Sequence, residues 1–257
     1  MDGEGKKPVM TLLRLEYFKI RRKKIGLMLL LFLGAEMLWA AMSLSMSFAR
    51  NPDQAVWEAV IFSISSMNGL FMPVITAVVV SRICDMEQKG NTWKMLLATD
   101  VSPFRLYAAK YICSCSLLLT GILAQTGFIL AFGWVKDLPG GPPLELLVPF
   151  ICGALLTTAA LAALQQWISI GIKNQAFALC AGMLGGFVGM TAGLFPAAVR
   201  RLAIWSYYLE LSPVTYQFAE PSGTYVTQPV LSAAVLPLLA GLLFYAAGSI
   251  LTTRKER

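Results

Sequence analysis

Histidine does not occur in the 257-residue chain. Its absence excludes His-based catalytic triads, His metal sites and the HExxH motif of zinc peptidases. The sequence also lacks a G-x-x-x-x-G-K-[ST] segment, the loop that cradles ATP phosphates in P-loop proteins. The residues therefore predict neither an enzyme nor a bound metal or cofactor, and a step driven by ATP would need a separate ATPase.

Charged residues are scarce as well. They make up 14% of the chain, against about 25% in soluble domains. Hydrophobic residues make up 57%, and the mean hydropathy of +0.66 indicates a membrane protein. The net charge of +7 does not indicate a nucleic-acid partner, because the basic residues cluster at the ends of apolar segments and no nucleic-acid-binding motif occurs.

Six apolar segments dominate what remains, and each exceeds the roughly 20 residues that a helix needs to cross the hydrocarbon core. They cover residues 25–49, 59–81, 111–135, 146–172, 174–199 and 229–253. Because the runs are continuously apolar rather than alternating, they predict helices and not a barrel. We expect an all-α integral membrane protein, in which a six-span domain (25–253) lies between residues 1–24 and a tail of residues 254–257.

The N-terminal segment is predicted to form a basic helix over residues 10–24. Met10, Leu13, Tyr17 and Ile20 share one stripe at helical spacing. We expect this helix to lie at the membrane surface, with its Lys and Arg side chains snorkelling towards water. The alternative is a plain positive flank for the first span.

The distribution of basic residues predicts the orientation. If the N-terminus is inside, 17 of the 21 Lys and Arg residues fall in inside segments and four in outside segments. This asymmetry predicts a multi-pass protein of the cell membrane with both termini in the cytoplasm.

Residues 82–110 form a polar island between the second and third apolar segments. They include five basic and three acidic residues, and the charge asymmetry places them in the cytosol. Ser102 followed by Pro103 is a strong helix start, and Gly90 suits a sharp reversal. We expect this island to be a docking element for a soluble protein partner.

Glu36 is the one ionisable residue deep inside a predicted span. A buried charge is costly in a membrane, so this side chain should face protein or water. One interpretation is a functional role. The alternatives are a structural hydrogen bond to a Ser or Gln on a neighbouring span, or a position closer to the outer surface.

Five glycines recur in the fifth apolar segment at G-x-x-x-G spacing: Gly182, Gly185, Gly186, Gly189 and Gly193. Such spacing lets helix backbones approach closely in lipid. The pattern predicts close packing, either inside the subunit or across a subunit interface.

The segment of about residues 200–228 is long and rich in aromatic residues: Trp205, Tyr207, Tyr208, Tyr216, Phe218 and Tyr225. Aromatic side chains at this level are typical headgroup anchors. An outer gate or a substrate-facing surface is the alternative.

Two motifs resemble those of ABC-2-type transporter permeases. One is E-x-x-G-N-T-W-K-M-L-L at residues 87–97, followed by Ser102, Pro103 and Lys110, and the other is L-x-x-E-x-x-K-x-R-R at residues 13–22. More narrowly, the chain resembles the six-span permeases of antimicrobial-peptide immunity exporters, the lantibiotic and bacitracin group. The resemblance covers essentially the whole chain in segment order.

The resemblance implies a type V exporter-like fold in a bacterial plasma membrane. It also implies two permease subunits, identical or different, and two ATPase subunits that bind the ATP. The substrate would be a peptide antibiotic or similar amphiphile removed from the membrane. Spans two and five would line the subunit interface, and the segment before span six would form an external gate.

The same resemblance implies a coupling helix at about residues 87–99 and a smaller contact at residues 173–175. The implied coupling or ATPase-docking residues are Glu87, Gly90, Asn91, Thr92, Trp93, Lys94, Leu97, Lys173 and Asn174. Two other functions remain open from the residues alone. One is a secondary transporter driven by proton flux through Glu36, and the other is a sensor or scaffold subunit that does not transport.

Overall fold

The computed structural model describes residues 9–89, 102–172, 174–218, 223–230 and 233–254, without the side chains of residues 87–89. The long helices are α1 (Val9–Arg22), α2 (Ile25–Arg50), α3 (Trp57–Lys89), α4 (Pro103–Val135), α5 (Leu144–Gly171), α6 (Gln175–Thr191) and α9 (Val235–Arg254). The short helices are α7 (Ala197–Arg200) and α8 (Tyr207–Glu210). Strands β1 (Val214–Gln217) and β2 (Thr224–Thr227) form an antiparallel hairpin.

Six of these helices are long and apolar enough to cross a membrane: α2, α3, α4, α5, α6 and α9. This number agrees with the six apolar segments of the sequence. Because successive spans run in opposite directions, the molecule has two ends. We call the end with α1 the α1 side, and the opposite end, with β1 and β2, the hairpin side.

Helix α3 is the most buried span and packs against α2, α4, α5 and α6. Helix α9 packs mainly on α5, and its outer face is exposed. Both α3 and α5 contain an internal proline, Pro73 and Pro149. A proline inside a helix leaves the carbonyl four residues earlier without its helical hydrogen bond, so each of these helices has a local irregularity for its neighbours to accommodate.

The fifth span is shorter than the predicted segment of residues 174–199. Helix α6 ends at Thr191 and a 3₁₀ turn follows at Ala192–Leu194, so Gly193 lies outside the helix and is exposed. Pro196 then precedes α7, and residues 204–213 pack back against the spans. Residues 193–199 are exposed, and the apolar residues that lie against protein begin at Ile204.

The aromatic residues of that segment are therefore not all headgroup anchors. Tyr207 and Tyr208 are each only 3% exposed, and the Tyr208 hydroxyl pairs with the Thr158 hydroxyl of α5 at 2.7 Å. Trp205 lies against Gly185 of α6. Phe218, in contrast, is 93% exposed. The prediction of anchors was wrong for the two buried tyrosines.

The hairpin was not predicted, and it makes the fold mostly helical rather than all-α. Val214 pairs with Thr227 and Tyr216 with Tyr225. The rings of Tyr216 and Tyr225 lie 6.1 and 5.8 Å from the ring of Phe62, near the start of α3. The hairpin is thereby fixed to the end of the most buried span.

Candidate functional site

Helix α1 is attached along the first turns of α4. Leu12 packs with Leu106 and Ala109 in one small apolar cluster, and the Tyr17 hydroxyl hydrogen-bonds to the Ser116 hydroxyl. Later residues of α1 thus meet later residues of α4. The face that α1 buries consists of Leu12, Glu16 and Ile20.

This face differs from the predicted stripe. Met10 is 76% exposed and Tyr17 is 44% exposed, whereas the acidic Glu16 is 1% exposed. Apolar periodicity gave only part of the buried face, namely Ile20 and the partly buried Leu13. It missed the rest because the buried face contains a charge, and that charge has a partner on α4.

The partner of Glu16 is Lys110. The Lys110 Nζ atom donates to Glu16 Oε2 at 3.1 Å and to the Ile83 carbonyl oxygen of α3 at 3.1 Å. Lys19 Nζ donates to the other carboxylate oxygen, Oε1, at 2.8 Å. Lys110 and Glu16 are each 1% exposed. The ion pair therefore joins α1, the last part of α3 and the first part of α4.

Burial by itself raises the pKa of the Glu16 carboxyl. The charges of Lys110 and Lys19, with the hydrogen bonds from both, outweigh burial and leave the pKa below its usual value. Glu16 is therefore a carboxylate at neutral pH. Such a buried pair does not guarantee net stabilisation, but removal of one partner is strongly unfavourable.

The ion pair lies at the base of the predicted docking element. Ile83 lies shortly before the end of α3, and Lys110 shortly after the start of α4. The predicted docking residues Gly90, Asn91, Thr92, Trp93, Lys94, Leu97 and Lys173 lie outside the described residues, as does the side chain of Glu87. Their docking role stays a prediction.

A second candidate contact, the turn between α5 and α6, lies on the same side. Asn174 is exposed and caps α6, because its Oδ1 atom accepts a hydrogen bond from the Ala176 backbone amide at 3.0 Å. Gln175 Nε2 donates to the Ser169 carbonyl oxygen at 2.9 Å. These bonds fix the turn locally, and the docking role of Asn174 stays a prediction.

Glu36 lies in a polar network that joins three spans. Gln125 Nε2 of α4 donates to Glu36 Oε2 at 2.9 Å and to Asn68 Oδ1 of α3 at 2.7 Å. Asn68 Nδ2 donates in return to Gln125 Oε1 at 3.3 Å. All three residues are at most 1% exposed. This geometry matches the predicted alternative of a structural hydrogen bond to a Gln on a neighbouring span.

A pair of substitutions at Glu36 separates the structural role from proton transport. Glu36→Gln keeps an acceptor for Gln125, so we expect stability and transport near wild type. Glu36→Leu removes that acceptor from a buried amide, which costs about 1–3 kcal/mol. Thermal unfolding of the purified protein, with transport assayed in parallel, measures both. Loss of transport in stable Glu36→Gln would instead favour a proton relay.

The glycines of α6 pack within the chain. A Cβ added at Gly186 would lie 2.6 Å from the Leu70 carbonyl oxygen, and one at Gly182 would meet Ala77 and lie 3.1 Å from the Pro73 carbonyl oxygen. Only glycine allows this approach of α6 to α3. These residues thus serve close packing without a second subunit, and a role between subunits stays a prediction.

Gly69 and Gly189 form the closest crossing of these two helices. A Cβ at Gly69 would lie 2.9 Å from the Gly189 carbonyl oxygen, and a Cβ at Gly189 would collide with the Gly69 carbonyl oxygen. Pro73 removes the amide that the Gly69 carbonyl would otherwise bind. The free Gly69 carbonyl therefore faces Gly189, which has no Cβ and leaves room for it.

Sequence reasoning missed the Glu16–Lys110 pair and the two amides that hold Glu36. Asn68 and Gln125 are polar residues inside apolar runs, a signal that was available. The ion pair joins residues 94 positions apart and has no local signature. Among the described residues, no three His, Cys, Asp or Glu side chains cluster as metal ligands.

Comparison with known proteins identifies the family of the chain. Residues 12–189 match the family described as ABC-2 family transporter protein. No curated protein matches the chain. The matched segment begins on the buried face of α1, ends at the glycine crossing, and includes the ion pair, the Glu36 network and the predicted docking element. Since the match covers more than half of the chain, this multi-pass membrane protein belongs to the ABC-2 transporter family.

Proposed function

We propose that the chain is the membrane permease subunit of an ABC exporter that moves a peptide antibiotic, or a similar amphiphile, out of the membrane. The family match supports the permease role and a partnership with an ABC ATPase. No P-loop motif occurs in the 257 residues. We assign ATP binding and hydrolysis to that separate subunit.

The docking surface in this proposal is residues 87–99, with Lys173 and Asn174 as a smaller contact. Both termini and this surface are cytoplasmic, as the distribution of basic residues predicts. The supporting geometry is the Glu16–Lys110 pair. Lys110, which follows the docking surface in the chain, also donates to the carbonyl of Ile83, which precedes it. A displacement of the docking surface would be passed through these bonds to α1 and α4.

A second permease subunit, identical or different, completes the exporter. The face of α6 opposite its glycines is apolar and exposed, with Phe177, Leu184 and Phe187 more than 60% exposed. Helix α6 contacts α3 through its glycines, so this other face is available to a partner or to lipid. A bacterial plasma membrane is the setting that the proposal requires.

Docking is tested at Trp93. Buried tryptophans at interface centres contribute about 2 kcal/mol or more, so Trp93→Ala should lower co-purification of the ABC ATPase from native membranes more than tenfold. The tagged chain is recovered from membranes, and the ATPase is quantified by mass spectrometry. Gly90→Val should have a comparable effect. Cells that express either variant should lose resistance to the exported peptide.

Trp39→Ala provides the matched control, because Trp39 is 67% exposed on α2 within the apolar span. It should insert into the membrane and retain the ATPase like the wild type. Undiminished ATPase recovery with Trp93→Ala and Gly90→Val, at normal membrane levels, would refute the docking surface. If the wild-type protein binds the ATPase but exports no peptide antibiotic, only the proposed substrate would be refuted.

A further inference from the structure

A groove of about 410 Å³ lies between α5, α9 and the segment that follows α7. Its lining is apolar or aromatic except for one charged residue, Arg201. On α9 the groove runs from Leu236 to Phe244, which is about 12 Å along a helix. The volume lies within the range of about 300–1,000 Å³ that is usual for small-molecule sites.

The backbone around Arg201 is held in place by three contacts. The Tyr207 hydroxyl donates to the Arg201 carbonyl oxygen at 2.7 Å, and the Ser206 hydroxyl donates to the Arg200 carbonyl oxygen. Trp205 lies against Gly185 of α6. Gly185 lies six residues before the end of α6 at Thr191, so Trp205 contacts this span about 9 Å from that end. The segment is thus fixed against the last turns of α6.

The two arginines of this segment differ in their partners. Arg200 pairs with the Glu210 carboxylate. Arg201 is exposed, and within the described part of the chain no carboxylate pairs with its guanidinium. Its neighbour Leu202 is 87% exposed. One uncompensated positive charge therefore stands at an open apolar groove between membrane spans.

We propose that this groove binds one anionic phospholipid, with an acyl chain between α5 and α9 and the phosphate at Arg201. The acyl chain of such a lipid matches the apolar lining of the groove, and its anionic headgroup matches Arg201. Basic pockets between spans bind anionic headgroups in this way. The site lies outside the docking surface and does not depend on the proposed substrate.

The test is native mass spectrometry of the purified protein, titrated with phosphatidylglycerol or phosphatidylcholine of identical acyl chains. We expect one tightly retained phosphatidylglycerol and weaker retention of phosphatidylcholine. Arg201→Gln should weaken phosphatidylglycerol binding about fivefold, the usual contribution of one cation near anionic lipid. Ala240→Phe, which fills the groove and leaves Arg201 intact, should remove binding of both lipids.

Lys136→Gln is the matched control, because Lys136 is another cation on the hairpin side but lies over the Phe132 ring, outside the groove. It should bind lipid like the wild type. Excess inorganic phosphate should not displace the lipid, because the acyl chain contributes to binding. Equal retention of the two lipids, or unchanged binding by Arg201→Gln, would overturn the proposal. Unchanged lipid binding together with lost peptide export in Arg201→Gln and Ala240→Phe would assign the groove to the substrate and would overturn it equally.

Discussion

Replacing either member of the Glu16–Lys110 pair should lower stability by about 3–5 kcal/mol, the usual cost of removing one partner of a buried ion pair. Both side chains are 1% exposed. Glu16→Leu leaves the buried Lys110 without a carboxylate. Lys110→Met leaves Glu16 with Lys19, whose Nζ donates to Oε1 at 2.8 Å, so its loss of stability should fall at the lower end of that range. For a chain of this length, the change corresponds to a fall in Tm of about 10 °C.

The double variant, Glu16→Leu with Lys110→Met, should recover most of that loss. Apolar side chains of similar volume often replace a buried ion pair with little net cost, because no charge is left without water. The comparison measures the coupling between the two residues rather than the effect of each truncation. Thermal unfolding of the four proteins in detergent provides the measurement.

Attachment of α1 can be followed in the same proteins. Arg14, Arg21 and Arg22 are exposed on α1, and trypsin should cut there faster in each single variant than in the wild type or the double variant. Arg14→Gln is the control for charge and should leave Tm unchanged. Additive losses in the double variant would show that Glu16 and Lys110 are not energetically coupled.

The six spans were predictable because each is a continuous apolar run that no other structure accommodates. The identity of Glu36 as a special residue was predictable for the same reason, since any ionisable group stands out in such a run. What surrounds Glu36 was only partly predictable. A sequence shows that Asn68 and Gln125 are polar, but their meeting depends on how α2, α3 and α4 pack.

Apolar composition alone cannot tell lipid-facing from protein-facing residues. The run through residues 192–199 was predicted to continue the fifth span, whereas the helix ends at Thr191, residues 193–199 are exposed, and the chain packs against protein again from Ile204. The hairpin did have a local signal, since T-Y-V-T at residues 224–227 consists entirely of β-branched and aromatic residues, which are enriched in strands. The abundance of aromatic residues in a predicted membrane-interface segment suggested anchors instead.

The glycine crossing of α3 and α6 gives the second large expected effect. Gly189→Ala should destabilise the protein by about 3 kcal/mol, the upper end of the range for overpacking. The added methyl group would collide with the Gly69 carbonyl oxygen and lie 2.9 Å from the Trp205 carbonyl oxygen. Both obstacles are backbone atoms and cannot move aside by changing a rotamer. Thermal unfolding again provides the measurement.

Gly127→Ala is the matched control, because a Cβ at Gly127 in α4 would meet no atom of a neighbouring element within 4 Å. There the substitution should be neutral or stabilise the helix by up to about 1 kcal/mol, since alanine has the higher helix propensity. A destabilisation equal to that of Gly189→Ala would show that glycine matters in these spans for reasons other than close approach.

The reciprocal contact makes a stronger test than either substitution alone. A Cβ at Gly69 would press on the Gly189 carbonyl, so Gly69→Ala should also destabilise the protein. Either methyl group forces α3 and α6 apart at the same point. Once the helices have separated for the first methyl, the second meets less resistance, and the double variant should lose clearly less than the sum of the single losses. Strict additivity would mean that the two glycines relieve separate contacts, and that the carbonyl freed by Pro73 does not set the distance between the helices.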